Sequence, residues 1–168
     1  MSTRRKRVDV YLAPAQVGVF TTPTRVRTIL GSCVALCLWD RGKRIGGINH
    51  YLLARAPATP DGDSDLRYGN SSNRILLERM RAAGARPTHL EAAVIGGGHP
   101  ASATSMGRQV GLDNARGALE LLQELGIRVV RQETGGARGR QLLFGSHSGE
   151  LIVRLLGGDS GVVGGASR

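Results

Sequence analysis

The sequence predicts an α+β fold, a layered α/β sandwich around a largely antiparallel mixed sheet. Three observations carry that expectation. The first third of the chain is a series of short apolar and β-branched runs broken by turns. Helical spacing first appears beyond residue 70, and from there helices and strands alternate.

Taken in order, residues 8–12 and 17–21 are short β-branched strands. Residues 24–30 alternate and stop at Gly31, whereas 33–39 form a nearly continuous apolar run ending in Asp40-Arg41-Gly42, a hairpin-type turn. The return strand is 44–53, thinned in its packing by Gly46-Gly47. Residues 57–66 make an acidic loop rich in Pro and Gly. A helix over 73–83 carries Ile75, Leu76, Leu77, Met80 and Ala83 at helical spacing, with Gly84 as its C′ residue. A buried strand at 90–95 runs into Gly96-Gly97-Gly98, and a second amphipathic helix over 113–125 is stopped by Gly126. Strands at 127–132, 141–144 and 150–155 complete the set, and no internal repeat is visible. One domain is expected over 8–156, between a disordered basic tail at 1–7 and a flexible Gly/Ser-rich tail at 157–168.

Composition narrows the function classes. Hydrophobic residues make up 40% of the 168, enough for a core, and no apolar run reaches the roughly 20 residues of a bilayer span. Neither membrane insertion nor a signal peptide is expected, so the location is read as cytoplasmic. The net charge of +10 comes almost wholly from arginine, Lys6 and Lys43 being the lysines. That bias reads either as a coding background or as attraction to an acidic partner. Aromatic residues at 4% and arginines dispersed along the chain speak against a nucleic-acid binder.

The richest stretch is Leu30-Gly-Ser-Cys-Val-Ala-Leu-Cys-Leu-Trp-Asp40, followed by Gly46-Gly-Ile-Asn-His50. A thiol is a nucleophile as its thiolate, and a nearby imidazole is the usual means of making one. If 33–39 and 44–53 pair across a turn centred near Gly42, Cys33 and His50 fall roughly opposite each other. A cysteine in an apolar strand also reads as a small buried hydrophobe, and His50 as a satisfied core histidine. Gly31-Ser32 tips the balance, because a small-residue turn admits a substrate and can aim backbone N–H groups at a developing oxyanion. Cys37, in mid-strand, reads as core. Cys33, Cys37 and His50 fall short of a zinc set, and His89, His99 and His147 add no metal spacing, so no metal site is expected.

These residues, Thr28-Ile-Leu-Gly-Ser-Cys33 through Trp39-Asp40 and then Gly46-Gly-Ile-Asn-His-Tyr-Leu-Leu53, resemble the CheD family of bacterial chemotaxis, the chemoreceptor glutamine deamidases. Val110-Gly-Leu-Asp-Asn114 is similar to the family's Ile-Gly-x-x-Asn, and Gly135-Gly-Ala-Arg-Gly-Arg140 to its Gly-Gly-x-x-Gly-Arg. Phe144 and the Ser148-Gly149 turn follow at similar places. The resemblance runs from about residue 8 to 156. It departs at Ala93, where family members usually carry lysine, and in the 57–66 loop and both tails.

The resemblance implies hydrolysis of a glutamine side chain to glutamate on the cytoplasmic helices of chemoreceptors. It makes Cys33 the nucleophile, His50 the general base and Thr28 the third polar residue, with Arg27 one register step away. Thr28 would orient the imidazole, as a carboxylate does elsewhere. The implied reaction needs no metal or organic cofactor. The resemblance also allows an alternative of another class, a non-catalytic adaptor binding a CheC-type phosphatase, with Gly135, Gly136, Arg138 and Arg140 as docking residues.

Overall fold

The computed structural model describes residues 7–58, 64–100 and 102–157. Both expected tails, apart from Arg7 and Gly157, and the middle of the 57–66 loop lie outside the described residues. The strands are β1 (Val8–Tyr11), β2 (Gln16–Phe20), β3 (Thr24–Leu30), β4 (Val34–Asp40) and β5 (Ile45–His50). Then come α1 (Gly69–Ala82), β6 (Leu90–Gly96), α2 (Ser105–Glu124), β7 (Arg128–Thr134), β8 (Arg140–Gly145) and β9 (Leu151–Leu155).

The expected α+β sandwich is observed, with the strands divided between two sheets. Four strands are ordered β1-β3-β8-β9 and five are ordered β2-β5-β4-β6-β7. Pairing is largely antiparallel, with β1–β3 and β6–β7 parallel. The division follows from the patterns of two neighbouring strands. β3 alternates buried and exposed residues, so it shows one face to water. β4 is buried on both faces along nearly its whole length and belongs in the centre of the other sheet. The chain therefore changes sheets between them, at Gly31-Ser32-Cys33.

Three layers result. Leu36, Leu38 and Val94 pack against Leu76 and Met80 of α1 and Ala118 and Leu122 of α2. On the other side of the same sheet, Ala35, Cys37, Ile48, Ala93 and Ile95 meet Val26, Leu30, Leu142 and Phe144 of the four-stranded sheet.

Both helices begin earlier than their apolar spacing indicates. Gly69, Ser71, Ser72 and Asn73 are buried at the start of α1, polar residues that a hydrophobic pattern does not register. The first turns of α2, residues 105–110, bury no face, and Thr104 caps them by accepting the Gly107 N–H. Gly84 and Gly126 end the two helices with positive φ, as expected.

Candidate active site

His50 is the last residue of β5 and is 1% exposed; Thr28, on β3 in the opposite sheet, is fully buried. The two meet across the layer between the sheets. The Thr28 hydroxyl lies 2.8 Å from the Leu12 carbonyl and 2.8 Å from His50 Nδ1. A hydroxyl has one proton. The Leu12 carbonyl can only accept, so that proton is donated to it, and the hydroxyl oxygen accepts from His50 Nδ1–H. The imidazole tautomer is thereby fixed, with the lone pair on Nε2. That nitrogen is buried and has no hydrogen-bond partner among the described residues. Burial pushes the His50 pKa down to about 4, so the ring is neutral at pH 7.

Cys33 is partly buried, one residue ahead of β4 rather than within a strand. The sequence expectation that it stands opposite His50 is corrected by the register. The hairpin loop holds four residues, 41–44, with Arg44 in the left-handed region (φ 54°) and Asp40 facing Ile45. Asp40 braces the loop, accepting the N–H of Lys43 (3.0 Å) and of Arg86 (2.8 Å). Val34 then stands opposite Tyr51 and Cys37 opposite Ile48. In that register Cys33 is diagonal to His50. A register shift of two keeps side chains on the same face, so both still point into the inter-sheet layer. Diagonal Cβ atoms lie about 7–8 Å apart or a little less. The unpartnered Nε2 agrees with that separation. Burial raises the Cys33 thiol pKa, and the residue's own N–H works in the opposite direction. The resting pair is a neutral imidazole and a thiol.

The turn carrying Cys33 is held by its carbonyls. Gly31 O accepts from Gly98 N–H and Cys33 O from Gly97 N–H, both at 2.9 Å, and Ser32 O accepts from Asn114 Nδ2 at 3.0 Å. The three-glycine run makes this approach possible. Gly96 has φ +119°, and a Cβ there would lie 2.2 Å from Cys33 O. On the open side of the turn, a Cβ on Gly31 would meet nothing within 4 Å.

The other motif residues take structural places. Arg140 is buried and donates to Gly96 O at 3.4 Å, while Arg138 Nε donates to Leu156 O at 2.7 Å. Gly135 N–H donates to Gly96 O, and Gly136 O accepts from His99 N–H. Ala93 faces Cys37 in the inter-sheet layer. Arg27 points outward from β3. A groove of about 960 Å³ between α1 and α2 includes neither Cys33 nor His50. Among the described residues, no three His, Cys, Asp or Glu side chains are grouped so as to hold a metal ion. Asn114 has a buried carboxamide with two donated bonds; the sequence motif contained this residue without giving it a placement or a role.

A family model described as CheD chemotactic sensory transduction matches residues 52–155, beginning just after His50. A protein of Anaeromyxobacter dehalogenans named probable chemoreceptor glutamine deamidase CheD 1 is 41% identical over 150 residues, 89% of this chain and 86% of its own. One of Albidiferax ferrireducens, named probable chemoreceptor glutamine deamidase CheD 2, is 33% identical over 96% of each chain, a span that takes in residues 28–50. One of Sulfurimonas denitrificans, named probable chemoreceptor glutamine deamidase CheD, is 36% identical over 87% of this chain and 93% of its own.

Proposed function

The chain belongs to the CheD family, and on that premise we propose that it hydrolyses glutamine side chains of chemoreceptors to glutamate, with Cys33 as nucleophile, His50 as general base and Thr28 as the group that orients it. One observation carries the reading. His50 commits its Nδ1–H to Thr28 and keeps a free Nε2 lone pair on the face shared with Cys33.

The steps follow from those protonation states. The substrate amide enters beside the turn at residues 31–33, and the Cys33 side chain swings toward His50, a closing movement usual on substrate binding. Nε2 takes the thiol proton as Sγ attacks the amide carbon, forming a C–S bond and a tetrahedral oxyanion. Backbone N–H groups of Ser32 and Cys33 serve as the donors for that oxyanion, on a turn whose carbonyls are all tied back. His50 returns the proton to the leaving nitrogen, the C–N bond breaks and ammonia departs, leaving a thioester. A water then gives its proton to Nε2 and its oxygen to the acyl carbon. The thiol leaves with the proton, and glutamate is the product. A side-chain methyl ester can enter the same sequence and leave as methanol. The substrate helices are those of the receptors' cytoplasmic portion, and the reaction belongs to the cytoplasm.

The test is to incubate the purified protein with receptor cytoplasmic fragments and follow conversion of glutamine to glutamate by mass spectrometry. Conversion by wild type and its loss in Cys33→Ala are expected; equal conversion by both would sink the thiol mechanism. If no glutamine is converted while a CheC-type phosphatase is retained, the protein is the adaptor instead.

A further inference from the structure

His50 lies between two residues that face the other way, toward the helices, and both are anchored there. Asn49 Oδ1 accepts from Leu36 N–H at 2.8 Å, and its Nδ2 donates to Asn73 of α1 at 2.7 Å. The Tyr51 hydroxyl donates to the backbone carbonyl of Asn114 in α2 at 2.5 Å. The Asn114 side chain completes the network: its Nδ2 donates to Ser32 O at 3.0 Å and to Leu52 O at 2.8 Å. Both partners are carbonyls that only accept, so the orientation of this amide is forced.

The position of these bonds gives them meaning. Val34 and Tyr51 exchange the last pair of hydrogen bonds between their two segments, at 3.1 and 3.0 Å. Beyond them the segments part, and the N–H groups of Leu52 and Leu53 both turn to Arg67 O. The Asn114 amide sits in the resulting fork with one N–H on each prong. Cys33 lies on one prong between Ser32 and Val34, and His50 lies at the base of the other. Helix α2 reaches so deep because Gly111, one turn earlier, touches the glycine loop. A Cβ at Gly111 would lie 2.5 Å from Gly97 O.

We propose that Asn114 is a positioning residue for the deamidation, its carboxamide setting the opening of the fork and with it the approach of the Cys33 thiol to His50 Nε2. This rests on the function proposed above. The geometry requires two donors on a short planar group. Aspartate would set acceptors against acceptors, leucine would supply no donor, and glutamine would overshoot by a methylene.

The experiment compares full-length wild type, Asn114→Leu and a core control, Met80→Ala, which lies in α1 among apolar neighbours. Deamidation of receptor cytoplasmic fragments is followed across pH 5–9. Asn114→Leu is expected to lower kcat by about 100-fold with KM within about threefold, the scale of a misplaced reacting group. Its rate should also climb about tenfold per pH unit through neutrality, as a free thiolate does, where wild type is flat because His50 stays neutral across that range. Met80→Ala should lower the melting temperature without either change. Activity and pH profile in Asn114→Leu equal to those of Met80→Ala would overturn the proposal. Should Asn114→Leu not fold, Asn114→Gln, which keeps both donors at the wrong distance, takes its place; a wild-type kcat there overturns the proposal equally. If wild type itself converts no glutamine, the functional reading fails separately. The alkylation rate of Cys33 by iodoacetamide then decides, a several-fold change in Asn114→Leu over Met80→Ala supporting positioning and equality refuting it.

Discussion

Cys33 and Cys37 lie four residues apart and face the same layer between the two sheets. Cys37 sits in the middle of β4, flanked by Ile48 on one side and Ala93 on the other, and is 2% exposed. Burial alone pushes its thiol far above the usual range. Cys33 precedes the strand at the point where the chain crosses between sheets, is partly exposed, and has its own N–H opposing the effect of burial. The difference lies in where the layer ends. A thiol held in the sandwich is packing; the same thiol at its rim, on a turn held by Gly97, Gly98 and Asn114, is partly open to solvent, as the proposed nucleophile has to be.

Substitution tests that contrast most strongly. Cys33→Ala should lose deamidation by about 10³-fold or more, the scale seen when a nucleophile is removed. Cys37→Ala should stay within a few-fold of wild type, with a stability loss of about 1 kcal/mol measured by urea unfolding. Comparable activity loss in both would erase the distinction. Next in size is chemical modification. Iodoacetamide should label Cys33 at least about 10²-fold faster than Cys37 in the native protein, and both at one rate in guanidinium, as peptide mapping would show. The Cys33 rate should keep rising beyond pH 9, because burial raises its thiol pKa.

Thr28 sharpens the comparison from the other side, through the ring of His50. Thr28→Val removes the acceptor for His50 Nδ1–H and should lower kcat about 10- to 100-fold, while Thr28→Ser retains most of it. Equal rates in the two variants would separate the hydroxyl from the function of the ring. The smallest effect expected is on stability against pH. His50 takes up a proton near pH 6.5 when unfolded but near pH 4 when folded, so the unfolded state binds more protons between those values. The contribution of the neutral ring to stability is present above about pH 6.5 and is lost as pH falls toward 4. Urea midpoints at pH 7 and 4.5 should therefore differ less in His50→Gln than in wild type.

Much of this was legible locally. The alternation of 24–30 and the apolar continuity of 33–39 gave two strands of different exposure, and Asp40-Arg41-Gly42 gave the turn that joins β4 to β5. The turn's length was not legible, because the left-handed Arg44 adds a residue that carries no glycine signal. The starts of both helices were hidden as well, one among buried polar residues and one in turns that bury nothing.

The sequence by itself determined the strand that carries His50, the strand that Cys33 leads into, and the shared face on which the two residues lie, since side-chain parity survives a register shift of two. It also supplied motifs sufficient to identify the family. Only the tertiary structure decided that β3 and β4 part into separate sheets, that Thr28 reaches His50 across the gap, and that Asn114 enters the fork beside Cys33. The reason is physical. Strand periodicity is a property of neighbouring residues, whereas a hydrogen bond between layers joins positions 22 or 82 residues apart whose separation along the chain carries no trace of their meeting.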